Sequence, residues 1–484
     1  MSTFSTGVRR FGAVAVALIC VQLDYFALAL ALPDMADDLH STAENLQWAV
    51  SAYMIAIGIA MVPGSRLGDL IGRKKVLLIG LAIFGLASLW VGLSPNVSSV
   101  IAARIVQGLG AGLYFPVAFS LVSNATSEEE RPKIIGLLSG IAGIGTAAGP
   151  IMGGAFASTI GWRWVFFVNV PVAAIGVAWG HFQLKETKDP DLADKKIRNM
   201  DWLGIVFLAL LVAGISLAID DVSTEGDSFT GTILPAIIGI CGFIAFVLWE
   251  RRSAWPLLPP EMWKNQRFTA LVIAASIANM GIVVMIFLST LYMQQARGLS
   301  GLIAGLMFIP AAIGLSIGGP ISGRLATKFP GQRVMTVAMI AGALTLIGLA
   351  FFQNLGIYLT IMGFSSFFLG LGFQFGNIAV QGVVKLSQAG AAAGVLLTVM
   401  VTTGGIAVVM ANASLEAIAP GGVPDQQSVS VTLLIWAGIV GILGIIFGLW
   451  QWKNATLPGS PNEPDTTGEA IERALDNKPN PEPA

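Results

Sequence analysis

Leu67-Gly68-Asp69-Leu70-Ile71-Gly72-Arg73-Lys74-Lys75 stands between two apolar stretches, 47–65 before it and 76–93 after it. Each approaches the roughly 20 apolar residues that a helix needs to cross the hydrocarbon core of a bilayer. The nonapeptide between them holds glycines that permit a tight turn, together with an acid and three bases that can pair between helix ends. Two membrane helices joined by a short basic loop is the reading that decides the fold, and it extends in both directions. Comparable segments lie near 11–32, 99–122, 134–157, 163–183, 202–219, 231–249, 268–290, 300–322, 334–352, 356–379, 391–412 and 431–452, so about fourteen spans are expected.

Composition agrees. Of 484 residues, 55% are hydrophobic and 11% charged, with a mean hydropathy of +0.77. A soluble domain carries about 25% charged residues. The net charge of -1 says nothing about partners, and no nucleic-acid partner is expected. Arg9 and Arg10 precede an apolar run, 11–32, that is longer than the core of a signal peptide and reads as an uncleaved first span. The two cysteines, Cys20 and Cys241, lie in apolar runs and read as buried small hydrophobes.

Basic residues fix the expected orientation. With the N-terminus cytoplasmic, all 27 Lys and Arg except Arg104, Arg163 and Arg297 fall in cytoplasmic segments. A missed or invented span would invert the sign of every later loop. The expected outer segments 34–44 and 220–227 hold acids and no Lys or Arg. The protein is therefore expected as a multi-pass protein of a bacterial inner (plasma) membrane with both termini in the cytoplasm. The polar end, 456–484, reads as a disordered cytoplasmic tail.

A short echo relates two parts of the chain. Pro63-Gly64-Ser65-Arg66-Leu67 follows the second segment, and Pro320 with Ser322-Gly323-Arg324-Leu325 follows the tenth. It suggests two parallel halves, an arrangement that places a transporter's substrate site at mid-membrane between them. The expected organisation is an N-terminal six-span bundle (1–185), two inserted spans with linkers (186–266), a C-terminal six-span bundle (267–455) and the tail.

Two charges sit within spans. Asp24 lies some 13 residues into the first segment, about 20 Å along a helix axis. Arg104 stands in Arg104-Ile105-Val106-Gln107-Gly108-Leu109-Gly110 of the fourth. A charge at mid-membrane costs about 3 kcal/mol unless paired or hydrated, so each is a functional candidate. The bland alternatives are a structural Asp bonded to neighbouring helices and an Arg reaching for the outer surface. The fifth segment holds Gly145-Thr146-Ala147-Ala148-Gly149-Pro150-Ile151-Met152-Gly153-Gly154, a close-packing face with a proline kink. Tyr25, Phe26, Tyr53, Phe115, Asn279, Gln374 and Asn377 are mid-span candidates for a substrate pocket, although membrane aromatics more often simply pack. No acid lies deep in the last six spans. Neither a phosphate-binding loop nor a nucleophile–base set is seen, so no enzymatic chemistry is expected.

These motifs resemble those of the major facilitator superfamily. Leu67-Gly68-Asp69 with Gly72-Arg73-Lys74 is similar to its loop signature between spans 2 and 3, which implies a gating role for Asp69 and Arg73. The chain has Leu70 where the family usually has Arg, and Ser65 where it usually has Gly. The Arg104 segment resembles the family's fourth-span motif, linked to proton coupling. Gly145, Gly149, Pro150, Gly153 and Gly154 match the antiporter motif of its exporting branches. Leu23-Asp24-Tyr25 with Ala31-Leu32-Pro33 resembles the first span of the fourteen-span drug–proton antiporters, with Phe26, Ala27 and Ala29 at the positions of the usual Thr, Ile and Asn. The resemblance implies a major facilitator fold of two six-helix bundles plus two inserted helices, all α. It implies export of amphipathic organic compounds against protons, with Asp24 carrying the proton, Arg104 tuning it, no cofactor, and the proton gradient as energy source. The protein is expected to work as a monomer in the lipid bilayer. A dedicated exporter of one metabolite or antibiotic is the alternative; a proton-coupled importer or a non-transporting receptor is less in keeping with the motifs.

Overall fold

A computed structural model describes residues 2–189, 197–224, 229–258, 262, 264–352, 354–419 and 424–451. The tail expected at 456–484 lies outside the described residues. No strand occurs among them. The first helices are α1 (Ser2–Asp38), α2 (Ala43–Ile71), α3 (Arg73–Leu93), α4 (Val97–Ala125) and α5 (Arg131–Thr159). A break at Val168 divides the next into α6 (Arg163–Phe167) and α7 (Asn169–Gln183), and α8 (Trp202–Thr224) and α9 (Leu234–Glu250) follow. The last set is α10 (Gln266–Leu291), α11 (Gly301–Met307), α12 (Ile309–Leu325), α13 (Gly331–Phe351), α14 (Leu355–Gly382), α15 (Ala389–Ile418) and α16 (Gln426–Gln451).

Local chemistry sets several of these boundaries. Thr42, Asn96, Asn265 and Asn354 cap α2, α4, α10 and α14, each accepting from a backbone N–H of the first turn. Such caps satisfy donors that would otherwise be orphaned. Helix α1 breaks its helical geometry once, at Phe11, where the apolar run begins. Helices α2, α4 and α12 continue through Pro63, Pro116 and Pro320.

Twelve helical segments are long and apolar enough to cross a membrane. Two of the fourteen expected spans are not in that set. One is α1, a helix of 37 residues. The other is α8, whose apolar stretch, Trp202–Ala218, is a shorter one. A second departure is Cys241, which is exposed on α9 whereas Cys20 is buried.

The packing is organised by reciprocity. Within the first set α1 lies on α5 and on α7, and α2 and α3 on α4; in the last set α12 and α13 lie on α14, and α10 on α14 and α15. Between the sets, the second long helix of each crosses the fifth of the other: α2 on α15, and α12 on α5. At the end of the molecule bearing Arg73–Lys75, these crossings are tight. A Cβ on Gly140 would lie 2.6 Å from the Ser316 carbonyl, and one on Gly323 2.5 Å from the Pro132 carbonyl. Ser123 near the end of α4 donates to Gln381 of α14, a further link between the two sets. Helices α8 and α9 pair with one another, and α8 also rests on both α2 and α15.

Candidate functional site

Five helices converge on Asp24. Its Oδ2 accepts from Arg104 Nη1 at 2.5 Å, and its Oδ1 from Gln107 Nε2 at 2.9 Å and Asn169 Nδ2 at 3.1 Å. Arg104 is held in turn by Gln107 Oε1 (2.7 Å) and by the Ala49 carbonyl, which accepts from Nε at 3.1 Å. The guanidinium carbon lies 3.9 Å from the centre of the Tyr53 ring, and Gln107 also donates to Ser88 at 2.8 Å. Asp24 and Arg104 are each only 1% exposed. Every donor here suits an ionised carboxylate, which only accepts. An isolated charge would be expelled from such a place; a paired and hydrogen-bonded one is tolerated.

The sequence builds this cluster by small residues. Gly108 lets α4 lie against α2, for a Cβ there would stand 2.6 Å from the Tyr53 carbonyl. Gly145 and Gly153 of the fifth-helix motif bring α5 onto α1: a Cβ on Gly145 would lie 2.8 Å from the Ile19 carbonyl, and one on Gly153 would overlap the Ala27 carbonyl. Gly154 faces Gly301 at the start of α11. Gly149 and Pro150 continue the same helix, and the Pro150 side chain lies outside the described residues.

Lined by Val21 and Gln22 of α1, and bounded by both sets of helices, lies a cavity of ≈ 80 Å³. Its polar side chains are Gln22, Thr146 and Asn279; the rest of the wall is apolar, with Phe115, Phe373 and Met400 prominent. Gln22 donates to Thr146 at 2.9 Å, and Asn279 to the Met400 carbonyl at 2.9 Å. Of the expected pocket residues, the structure brings Phe115 and Asn279 to the cavity. Tyr53 lies under Arg104 instead. Gln374 donates to the Leu315 carbonyl at 2.7 Å and Asn377 to the Phe373 carbonyl at 3.3 Å, both away from the wall. The side chains of Tyr25 and Phe26 lie outside the described residues.

The basic loop forms a second buried pair. Asp69 Oδ1 accepts from Arg73 Nε at 3.0 Å and Nη2 at 2.7 Å, and both side chains are buried. Gly68 packs α2 on Val117 of α4. Gly72 adopts φ = +121°, a region that L side chains rarely enter, and a Cβ there would meet the Glu186 carboxylate. Glu186 accepts from the backbone N–H of Lys74 (3.0 Å) and Lys75 (3.3 Å), and Lys74 Nζ donates to the His181 carbonyl at 2.7 Å. The strand-like segment that carries Glu186 is stitched on by Arg73 N to Thr187 O (2.9 Å) and Asp189 N to Asp69 O (3.3 Å).

Comparison with known proteins follows the same lines. The sequence model of the Major Facilitator Superfamily matches residues 14–412. The tetracenomycin C resistance and export protein of Streptomyces glaucescens is 29% identical over 456 residues, covering 92% of this chain and 78% of that protein. Multidrug resistance protein 3 of Bacillus subtilis is 28% identical over 360 residues, covering 73% and 68%. In three dimensions the chain superposes on the crystal structure of the human organic anion transporter MFSD10 with a TM-score of 0.66, covering 91% of this chain and 99% of that one at 14% identity. A likeness that distant speaks for the fold alone.

Proposed function

The chain belongs to the Major Facilitator Superfamily, and we propose that it is a proton-coupled efflux transporter that exports amphipathic organic compounds by alternating access. The observation that carries this reading is the buried Asp24–Arg104 pair, set on α1 two residues from the cavity-lining Gln22. Protonating Asp24 removes one partner of a buried pair and leaves Arg104 uncompensated, at a cost of about 3–5 kcal/mol. Helices α1 and α4 relieve that cost by moving, and α1 carries α5 with it through Gly145 and Gly153. A proton is thereby converted into a change of the cavity wall.

The reciprocal crossings α2/α15 and α5/α12 support a division into two six-span bundles that rock about a central cavity. The helices α1 and α8, added to the twelve long apolar segments, support a count of fourteen spans and the drug–proton antiporter branch. Lys and Arg gather at the end sealed by Ser123 and Gln381, which supports placing that end and both termini in the cytoplasm of a bacterial cell. The fit of Glu186 and Asp69 around Gly72 and Arg73 supports a gating role for the loop.

The test is Asp24→Asn in the full chain, reconstituted in vesicles with an imposed pH gradient. Proton-driven export should be abolished while the protein remains folded in detergent. Unchanged proton-driven transport sinks the assignment of Asp24. A dedicated exporter of one compound is the second reading, favoured by the relative from Streptomyces glaucescens, whose name specifies a single antibiotic. A substrate panel separates the two.

A further inference from the structure

We infer that the transported molecules are uncharged, flat and predominantly apolar, with hydrogen-bonding groups along one edge, and that Asn279 enforces this choice. The inference rests on the export reading and narrows it. Mid-span charges in the sequence are Asp24 and Arg104 and no others. These two compensate one another and are 1% exposed, and neither is among the residues that line the cavity. The cavity therefore offers a charged guest no counter-charge. The polar groups it does offer are three neutral ones, placed on α1, α5 and α10: Gln22, Thr146 and Asn279.

A permanent cation must shed its water on entering such a site. The rings of Phe115 and Phe373 recover part of that loss through their π faces. The remainder still disfavours the cation by about a hundredfold or more in affinity relative to a neutral molecule of the same shape. A neutral aromatic skeleton loses nothing of this kind and gains from contact with Phe115, Phe373 and the methionines. Hydroxyl or carbonyl groups on one edge of the guest would compete for the Gln22–Thr146 hydrogen bond, which ties α1 to α5. Binding is thereby registered on the helix that carries Asp24.

The experiment uses the full chain in detergent and a matched pair of fluorescent probes, acridone and N-methylacridinium, which share a ring system and differ in charge. Fluorescence anisotropy should show acridone binding at least about a hundredfold more tightly. Equal binding, tighter binding of the cation, or no binding of either overturns the inference. Asn279→Asp supplies the missing counter-charge and should raise affinity for N-methylacridinium relative to acridone at least about tenfold at pH 8; no relative gain for the cation counts against Asn279 as the selecting residue. Transport is read separately in vesicles. Acridone that binds but is not moved by a pH gradient leaves the charge selectivity standing and removes the export reading.

Discussion

The backbone of Gly390 lies directly against the carboxylate of Asp69: a Cβ there would stand 3.0 Å from Oδ1 and 2.9 Å from Ser65 Oγ. Asp69 is pinned by two hydrogen bonds from Arg73 and is not free to retreat. Gly390→Val should therefore wedge α15 off α2 and open the basic end. In a Cys241→Ser background, a cysteine at Ser123, buried where the two sets meet at that end, should react with a membrane-impermeant maleimide several-fold faster in inside-out vesicles. An unaltered rate would mean that this crossing does not hold the end shut.

Glu186 acts on the same end from outside it. Its carboxylate serves the first turn of α3, an interaction whose loss typically costs about 1 kcal/mol. Glu186→Ala should shift the balance between closed and open forms about fivefold, in the direction produced by Gly390→Val. Glu186→Gln, which keeps an acceptor, should fall between. If both variants match the parent in the same labelling assay, the cap has no part in gating.

Arg104→Lys should not be tolerated. The guanidinium serves Asp24, Gln107 and the Ala49 carbonyl at once while lying flat over Tyr53. An ammonium has neither the fork nor the plane for this. We expect at least about a tenfold loss of proton-driven transport, with expression maintained. Retention of full transport would reduce Arg104 to a bare positive charge.

At the opposite end, Asp38 accepts from Arg163 and from Trp162 Nε1 (3.1 Å). The Arg163 guanidinium holds the Asp38 carboxyl below the usual carboxylate range. A depressed folded-state value means that the contact contributes above the unfolded value of about 3.9 and is lost only as pH falls through the folded one. Asp38 is thus ionised throughout pH 5–8. Asp38→Asn should leave the shape of the transport–pH profile unchanged, whereas Asp24→Asn should remove the proton dependence. A displaced profile for Asp38→Asn would show that the proton response is shared.

Gly153→Ala should drive α1 from α5, because the added methyl would overlap the Ala27 carbonyl. Overpacking of this kind costs about 1–3 kcal/mol, read as a fall of several degrees in melting temperature in detergent. Gly161→Ala is the comparison in a different environment: nothing crowds its Cβ, and any loss there comes from its φ of +98°. Equal stability of Gly153→Ala and the parent protein would show that α1 is free to shift.

Much of the architecture is legible in the sequence because burial in lipid demands long apolar runs, and because a charge among them is too costly to be idle. Asp24 and Arg104 were recognisable for that reason, and the structure pairs them. Their neutral partners were not. Gln107 had a faint signal, lying three residues from Arg104 and so on the same helix face. Asn169 lies in a stretch, Gly161-Trp162-Arg163-Trp164 to Asn169-Val170-Pro171, that resembles the drug–proton antiporter branch, but nothing local ties it to Asp24: it sits 145 residues away and reaches it only through tertiary packing. Glu186 stood out by nothing in the sequence, because capping the start of another helix leaves no trace in local pattern. The aromatic and amide pocket candidates fared unevenly, since hydropathy marks depth in the membrane but not which way a side chain turns. Phe115 faces the cavity, whereas Tyr53, of the same polarity class, lies beneath a guanidinium.

The position of α8 has a mechanical consequence. It leans on α2 and α15 together and lies between the two sets in the chain, whereas the helices that touch both α5 and α12, namely α11 and α14, belong to the last set itself. The two crossings, alike in which helices they join, are thus unequal in practice: an inserted helix lies across one and not across the other. A symmetric rocking of the two halves would require α8 to let go of one partner. The seam that α8 spans is then the natural pivot, and the other seam the side on which the halves part farthest.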